Sequence, residues 1–205
     1  MSVSLPIDIT EIKGFLADDE AEALYLHAQQ CSSLGPIFEI GSYCGKSTIY
    51  LGAAVKALGG TVYALDHHRG SEEHQLGEEY HDGDLYDASV ELMDTFKEFR
   101  KNMRAAELEE TVVPVVSSSK AASRHWGTPL GMLFIDGGHS LEAAMTDYQS
   151  WVTHIKSGGI LAIHDIFPNP EEGGQAPYTI YKLAEASGLF DKLPMVNTLG
   201  LFRRK

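Results

Sequence analysis

Four residues stand where chemistry could be run. Asp136 and His139 close the run LFIDGGH at 133–139, and His164 and Asp165 close the run ILAIHD at 160–165. Each run reads as a short apolar strand that ends in a polar pair. Adjacent parallel strands lie ~4.8 Å apart, so side chains at two neighbouring strand ends can converge on one ligand. Two carboxylates and an imidazole could hold a divalent cation, and an oxygen-rich set suits Mg²⁺ or Mn²⁺. The competing reading is that His139 and His164 are partly buried polar residues bonded to nearby backbone.

A second constellation lies in IFEIGSYCGKST, residues 37–48, where an apolar strand runs into a glycine-spaced turn and a helix start. Such a turn presents backbone N–H groups and the positive end of a helix dipole to a ligand. Gly45-Lys46-Ser47 looks like the end of a phosphate loop, with Asp136 as its magnesium-binding aspartate. That loop needs four residues between its glycines. Gly41 and Gly45 have three, and the glycine required one position earlier is Ile40. The dinucleotide pattern G-x-G-x-x-G fails at Tyr43 and Lys46. What remains is E-x-G-x-x-x-G, with Glu39 on the strand ahead of the turn. About twenty residues further on, Asp66 ends the strand TVYALD. An acid there either caps a turn or accepts two hydrogen bonds from vicinal ribose hydroxyls, and the glycine turn favours the ribose. Ser117-Ser118-Ser119 follows the next strand and reads equally as the N-cap of a helix reaching Trp126.

These residues need a scaffold, and helical and strand patterns alternate along the chain, as in an α/β fold with a mostly parallel sheet. Asp18 is the expected N-cap of a helix with the apolar stripe Ala21, Leu24, Ala28 and Cys31. Strands follow at 37–40, at TVYALD, at TVVPVV, at GMLFID and at ILAIHD, with Ser157-Gly158-Gly159 expected to cap the helix before the last. Pro114 cannot donate to a ladder, which makes TVVPVV an edge strand. That fits the order 3-2-1-4-5 of nucleotide-binding α/β sheets. A helix is predicted from Asp87 to Leu108 with Leu92, Phe96, Phe99 and Met103 inward, and another near 178–187. The closing segments look like a hairpin around Asn197-Thr198. Residues 67–86 show no period and leave the carboxyl end of a strand, so they read as a lid or substrate loop.

The motifs FEIGSYCGKST, YALD, VVPVVSSS, LFIDGGHSLEAAMTDY and SGGILAIHD together resemble the class I S-adenosylmethionine (SAM) methyltransferases. The branch is the one of the catechol-type and macrolide-sugar O-methyltransferases, and the likeness spans nearly the whole chain. It implies a Rossmann-like doubly wound sheet of seven strands in the order 3-2-1-4-5-7-6, the last strand antiparallel. Residues 1–205 would form one domain, with a helical segment at 1–35 and the lid at 67–86. Around SAM the resemblance places Glu39, Gly41, Ser42, Gly45, Ser47, Asp66, His67, Ser118 and Asp136. It makes Asp136, His164 and Asp165 the ligands of Mg²⁺ or another divalent metal, although His164 stands where metal-dependent members carry an acid. His139 becomes the catalytic base, acting with Asp136, or without metal assisted by His67 or His68. The implied reaction is methylation of a small-molecule hydroxyl.

Composition narrows the alternatives. The chain has 205 residues and a net charge of −13, and residues 67–98 carry ten acids against Arg69 and Lys97. Such a face repels a phosphate backbone, which argues against nucleic acid as substrate. No apolar run is long enough to span a membrane. The N-terminus lacks a secretion pattern, and two isolated cysteines fit a reduced, cytoplasmic setting. A homo-oligomer is compatible with all of this. The remaining rivals are a SAM-binding regulatory protein without catalysis, a P-loop-like NTPase and an NAD-dependent oxidoreductase.

Overall fold

A computed structural model describes residues 3–70 and 82–205. Seven strands form the central sheet: β1 (Ile37–Ile40), β2 (Val62–Asp66), β3 (Val112–Val116), β4 (Leu130–Ile135), β5 (Ile155–Ile163), β6 (Phe190–Lys192) and β7 (Gly200–Arg204). Their order is β3-β2-β1-β4-β5-β7-β6, with β7 antiparallel to both neighbours and the first five strands parallel. The expected order and the antiparallel last strand are both found, and Pro114 lies on the edge strand β3.

The central strands are buried on both faces, so their sequences are apolar at nearly every position rather than alternating. Alternate residues serve opposite layers. Ile37, Met132, Phe134 and Ile160 pack on one face against α1 (Asp18–Cys31), α2 (Lys46–Lys56) and α3 (Phe96–Ala105). Phe38, Leu133, Leu161 and Phe202 pack on the other against α5 (Leu141–Trp151) and α6 (Gln175–Ala186). On that second face Phe38 stacks on Trp151 with ring centres 3.9 Å apart, and Trp126 meets both edge-on. The one-turn helix α4 (Ser119–Ala122) precedes Trp126.

Several local expectations change. The helix predicted from Asp87 begins only at Phe96, because Tyr86–Asp87 and Leu92–Met93 pair as a small antiparallel hairpin. The Asp87 and Asp94 carboxylates accept the backbone N–H groups of Ser89 and Phe96, which offers the chain turns instead of a helix there. Leu92 therefore lies exposed on the hairpin rather than inside a helical stripe. The first helix starts at Asp18 with Ala17 as its cap, and Glu20, not Asp18, accepts the N–H of Ala17. Residues 157–159 do not cap a helix but run within β5, which begins at Ile155. A register shift between Leu130 and Met132 lets that strand pair on both sides of the glycines. The last helix starts at Gln175, three residues earlier than its pattern predicts, with Pro177 in its first turn.

The N-terminal segment crosses the carboxyl side of the sheet. Lys13 Nζ reaches Asp82 at 2.5 Å and Asp84 at 3.2 Å, and Lys46 Nζ donates to the Gly14 carbonyl at 3.4 Å. Of the expected lid 67–86, residues 71–81, with His74 and His81, lie outside the described residues.

Candidate active site

The glycine turn is built by close backbone approach. Gly41 has φ +87°, and a Cβ there would lie 1.9 Å from the Asp136 carbonyl oxygen. A side chain at that position is excluded by backbone that has nowhere to go. The Asp136 N–H in turn donates to the Ile40 carbonyl at 2.8 Å, so the ends of β1 and β4 are tied at this point. Gly45, at φ +91°, faces Met103 and Phe99 of α3. Asn102, buried on the same helix, donates its amide to the Cys44 carbonyl at 2.8 Å and holds the turn from behind.

Glu39 is wholly buried, and its two oxygens accept from Ser47 Oγ and Thr48 Oγ1, both at 2.5 Å. The bonds bracket the strand end to the first turn of α2. Burial raises the carboxyl to about 8, against the pull of the two hydroxyl donors. Between the ordinary value of 4.5 and about 8 the unfolded chain releases this proton and the folded chain keeps it. Folding stability then falls as pH rises, by at most ~1.4 kcal/mol per pH unit from this group. Glu39→Gln is expected to flatten that part of the stability profile, measured by thermal unfolding from pH 5 to 8. An unchanged slope in the variant would rule out Glu39 as its source.

Asp66 accepts the Tyr43 N–H at 2.8 Å through Oδ2 and the His68 N–H at 2.7 Å through Oδ1, so it joins the glycine turn to the end of β2. Beside it a cleft of about 390 Å³ is lined by His67, Arg69, Val116, Ser117 and Ser118. That is within the range of small-molecule sites. Ser118 also caps α4, its hydroxyl accepting the Ala121 N–H at 3.3 Å, so the capping expectation is met. The His68 ring is buried, with Nδ1 2.8 Å from Thr95 Oγ1 and the rings of Phe96 and Phe99 alongside. Ser42 sits in the glycine turn with a buried hydroxyl that has no partner among the described residues. A buried orphan hydroxyl beside a cradle that admits no Cβ fits a bound ligand with polar groups of its own.

The four polar residues at the ends of β4 and β5 come together. His164 Nδ1 lies 3.0 Å from Asp136 Oδ1 and 3.6 Å from Asp165 Oδ1, and His139 Nε2 lies 3.1 Å from Asp165 Oδ2. Asp165 holds φ +58°, an uncommon conformation for a residue with a side chain, and this turns its carboxylate between the two histidines. Burial would raise the Asp165 carboxyl, but the His139 bond and the His164 charge bring it below its ordinary value.

The fourth side of the cluster was missed by pattern reading. Glu20 of α1 reaches His164 Nε2 at 2.9 Å and accepts from Thr198 N at 2.8 Å and Thr198 Oγ1 at 2.7 Å. Its signal in the sequence is an acid four positions ahead of Leu24, on the apolar stripe of its helix. Burial would raise Glu20, but bonds from His164 and Thr198 hold it at about 2. For His164 burial works downward and loses to Asp136, Glu20 and Asp165, which lift the imidazole to about 11. Among the described residues, Asp136, His164 and Asp165 can each turn one donor atom into a space where all three lie within 4.8 Å of one another. His164 Nδ1 and Asp136 Oδ1, 3.0 Å apart, share a hydrogen bond in this structure, so a cation there would take the place of the ring hydrogen between them. The donor set fits a divalent cation.

Residues 38–166 match the family described as "Methyltransferase domain". Among solved structures, the O-methyltransferase NovP superposes with a TM-score of 0.67 at 17% identity, over 91% of this chain and 80% of that one. An O-methyltransferase from Bacillus cereus in complex with SAH gives 0.62 at 16% identity, over 93% and 83%. The O-methyltransferase TomG from Streptomyces achromogenes, in complex with SAM, gives 0.62 at 14%, over 93% and 82%. At these identities the likeness speaks for the fold.

Proposed function

The chain belongs to the methyltransferase-domain family, and from that premise we propose that it transfers the methyl group of SAM to a hydroxyl oxygen of a small molecule. The observation that carries this reading is the meeting of Asp136, His139, His164 and Asp165 at two adjacent strand ends, on the side of the sheet where Gly41 and Ser42 form the cofactor turn. O-methyltransferases of the same fold, bound to SAM or SAH, support the choice of donor and of oxygen as acceptor.

In the reaction a lone pair of the acceptor oxygen attacks the sulfonium methyl carbon from behind. The O–C bond forms as the C–S bond breaks, the sulfur keeps the electron pair, and the hydroxyl proton goes to a base. Placing the nucleophile in line supplies much of the acceleration. His139 is that base. Asp165 Oδ2, 3.1 Å from its Nε2, orients the ring. Gly41, Ser42, Gly45, Asp66 and Ser118 would seat the cofactor, with Glu39 and Ser47 bracing the turn and His67 at the mouth of the cleft. Asp136, His164 and Asp165 would hold a divalent cation. When bound, such an ion polarises the acceptor hydroxyl and lowers its pKa.

Two measurements test this. Calorimetry should show S-adenosylhomocysteine binding, and phenolic and sugar acceptors incubated with SAM should gain the mass of one methylene. Cofactor binding with no acceptor consumed across a broad panel would favour a SAM-binding protein without turnover.

A further inference from the structure

Glu20 lies 144 residues before His164, on a helix that none of the other site residues shares. It is 2% exposed, and every neighbour that meets its carboxylate brings a hydrogen. Oε1 accepts from the backbone and the hydroxyl of Thr198. Oε2 accepts from Ala17 N at 3.2 Å and faces His164 Nε2 at 2.9 Å. The ionised Glu20 carboxylate only accepts, so Nε2 carries a hydrogen toward it, and Nδ1 carries one toward the Asp136 carboxylate 3.0 Å away. The nitrogen turned toward Asp136 and Asp165 is then Nδ1.

We infer that Glu20 is a positioning residue: by bonding Nε2 it fixes the His164 ring with Nδ1 turned to the Asp136–Asp165 pair, and so makes Nδ1 the atom through which the imidazole can ligate a borderline divalent cation such as Co²⁺, in exchange for the hydrogen it shares with Asp136. The inference rests on the metal reading above. A carboxylate on the far nitrogen is how a ligating histidine is commonly oriented and made more basic. Thr198 ties the same carboxylate to the turn between β6 and β7, so α1, β5 and that turn all meet at one side chain.

The substitution Glu20→Gln tests this positioning directly. The carboxamide oxygen can still accept from Thr198 while its NH₂ faces His164, which obliges Nε2 to become the acceptor and puts the hydrogen on Nδ1. Co²⁺ affinity, followed by calorimetry and by the absorption of the bound ion, should fall 10- to 100-fold, the usual cost of losing such a partner. S-Adenosylhomocysteine affinity should not change. Thr198→Val removes one bond to the same carboxylate without touching the imidazole and should leave Co²⁺ affinity unchanged. Histidine ¹⁵N spectra of the metal-free protein give a readout that simple loosening would not produce: Nε2–H in the wild type, and its loss in Glu20→Gln. Wild-type Co²⁺ affinity in Glu20→Gln, or an equal loss in Thr198→Val, overturns the inference. If the wild type binds neither Co²⁺ nor Mn²⁺ the metal reading fails, while the ¹⁵N spectra still decide what Glu20 does to the ring. If Glu20→Gln does not fold, an Nε2 without its hydrogen in the wild-type spectrum overturns the inference by itself.

Discussion

His139→Ala is expected to lower methyl transfer by about 10²- to 10⁴-fold, the range that removal of a positioned base produces. The ring is exposed and lies outside the core clusters, so its loss should leave stability within ~0.5 kcal/mol. It is also absent from the glycine turn and from the Asp66 cleft, so S-adenosylhomocysteine should bind as it does to the wild type. Single-turnover kinetics with saturating SAM separate the two effects. Turnover at the wild-type rate would take His139 out of the mechanism, and lost cofactor affinity would give it a different role. Asp165→Asn is the companion variant: it keeps the shape beside His139 but replaces the charge that orients the ring.

The second large effect is expected at Gly41. A methyl group there would meet the Asp136 carbonyl oxygen at 1.9 Å and its carbon at 2.6 Å, on a backbone already at φ +87°. Left-handed backbone costs a side-chain-bearing residue ~1–2 kcal/mol, and overpacking adds ~1–3 kcal/mol. Gly41→Ala should therefore lose about 2–5 kcal/mol of stability. At ~2–4 °C per kcal/mol for a chain of this size, the midpoint of thermal unfolding drops by about 4–20 °C. Because relief can come only from parting the ends of β1 and β4, cofactor binding should be lost as well. Unfolding scans with and without S-adenosylhomocysteine check both. A Gly41→Ala protein with wild-type stability and a ligand-induced shift would mean that the turn rearranges freely.

Much of this was legible in the sequence, for a physical reason. Strands buried on both faces write themselves as uninterrupted apolar runs, and β1, β2, β4 and the second half of β5 could be located from that alone. Pro114 announced an edge because a missing N–H has one safe place in a sheet. The pairing of Asp136 with His164 followed once β4 and β5 were neighbours. What stayed hidden depended on contacts across long stretches of chain. Glu20 differs locally from the other acids at the start of α1 only in falling on the apolar stripe, and its meaning comes from a histidine and a threonine contributed by two distant elements. Asp147 is a parallel case, an acid on the inward side of α5 that burial raises to about 6 despite a bond from Ser119. The helix predicted from Asp87 failed because Asp87 and Asp94 close turns with their own side chains, and a hydrophobic period does not register that competition.

The aromatic stack beneath β1 has an optical consequence. The chain contains two tryptophans, and both lie in that one cluster, their ring centres 5.2 Å apart. Trp151 donates its indole N–H to Ser119 at 3.3 Å, next to the Ser117–Ser118 wall of the cleft beside Asp66. All tryptophan emission from the protein therefore originates at one spot, within a hydrogen bond of that wall. Two indoles this close also couple in the near-ultraviolet, so their circular dichroism is a signature of the packed stack. The molecule carries its own reporter for ligand entry, with no label to attach.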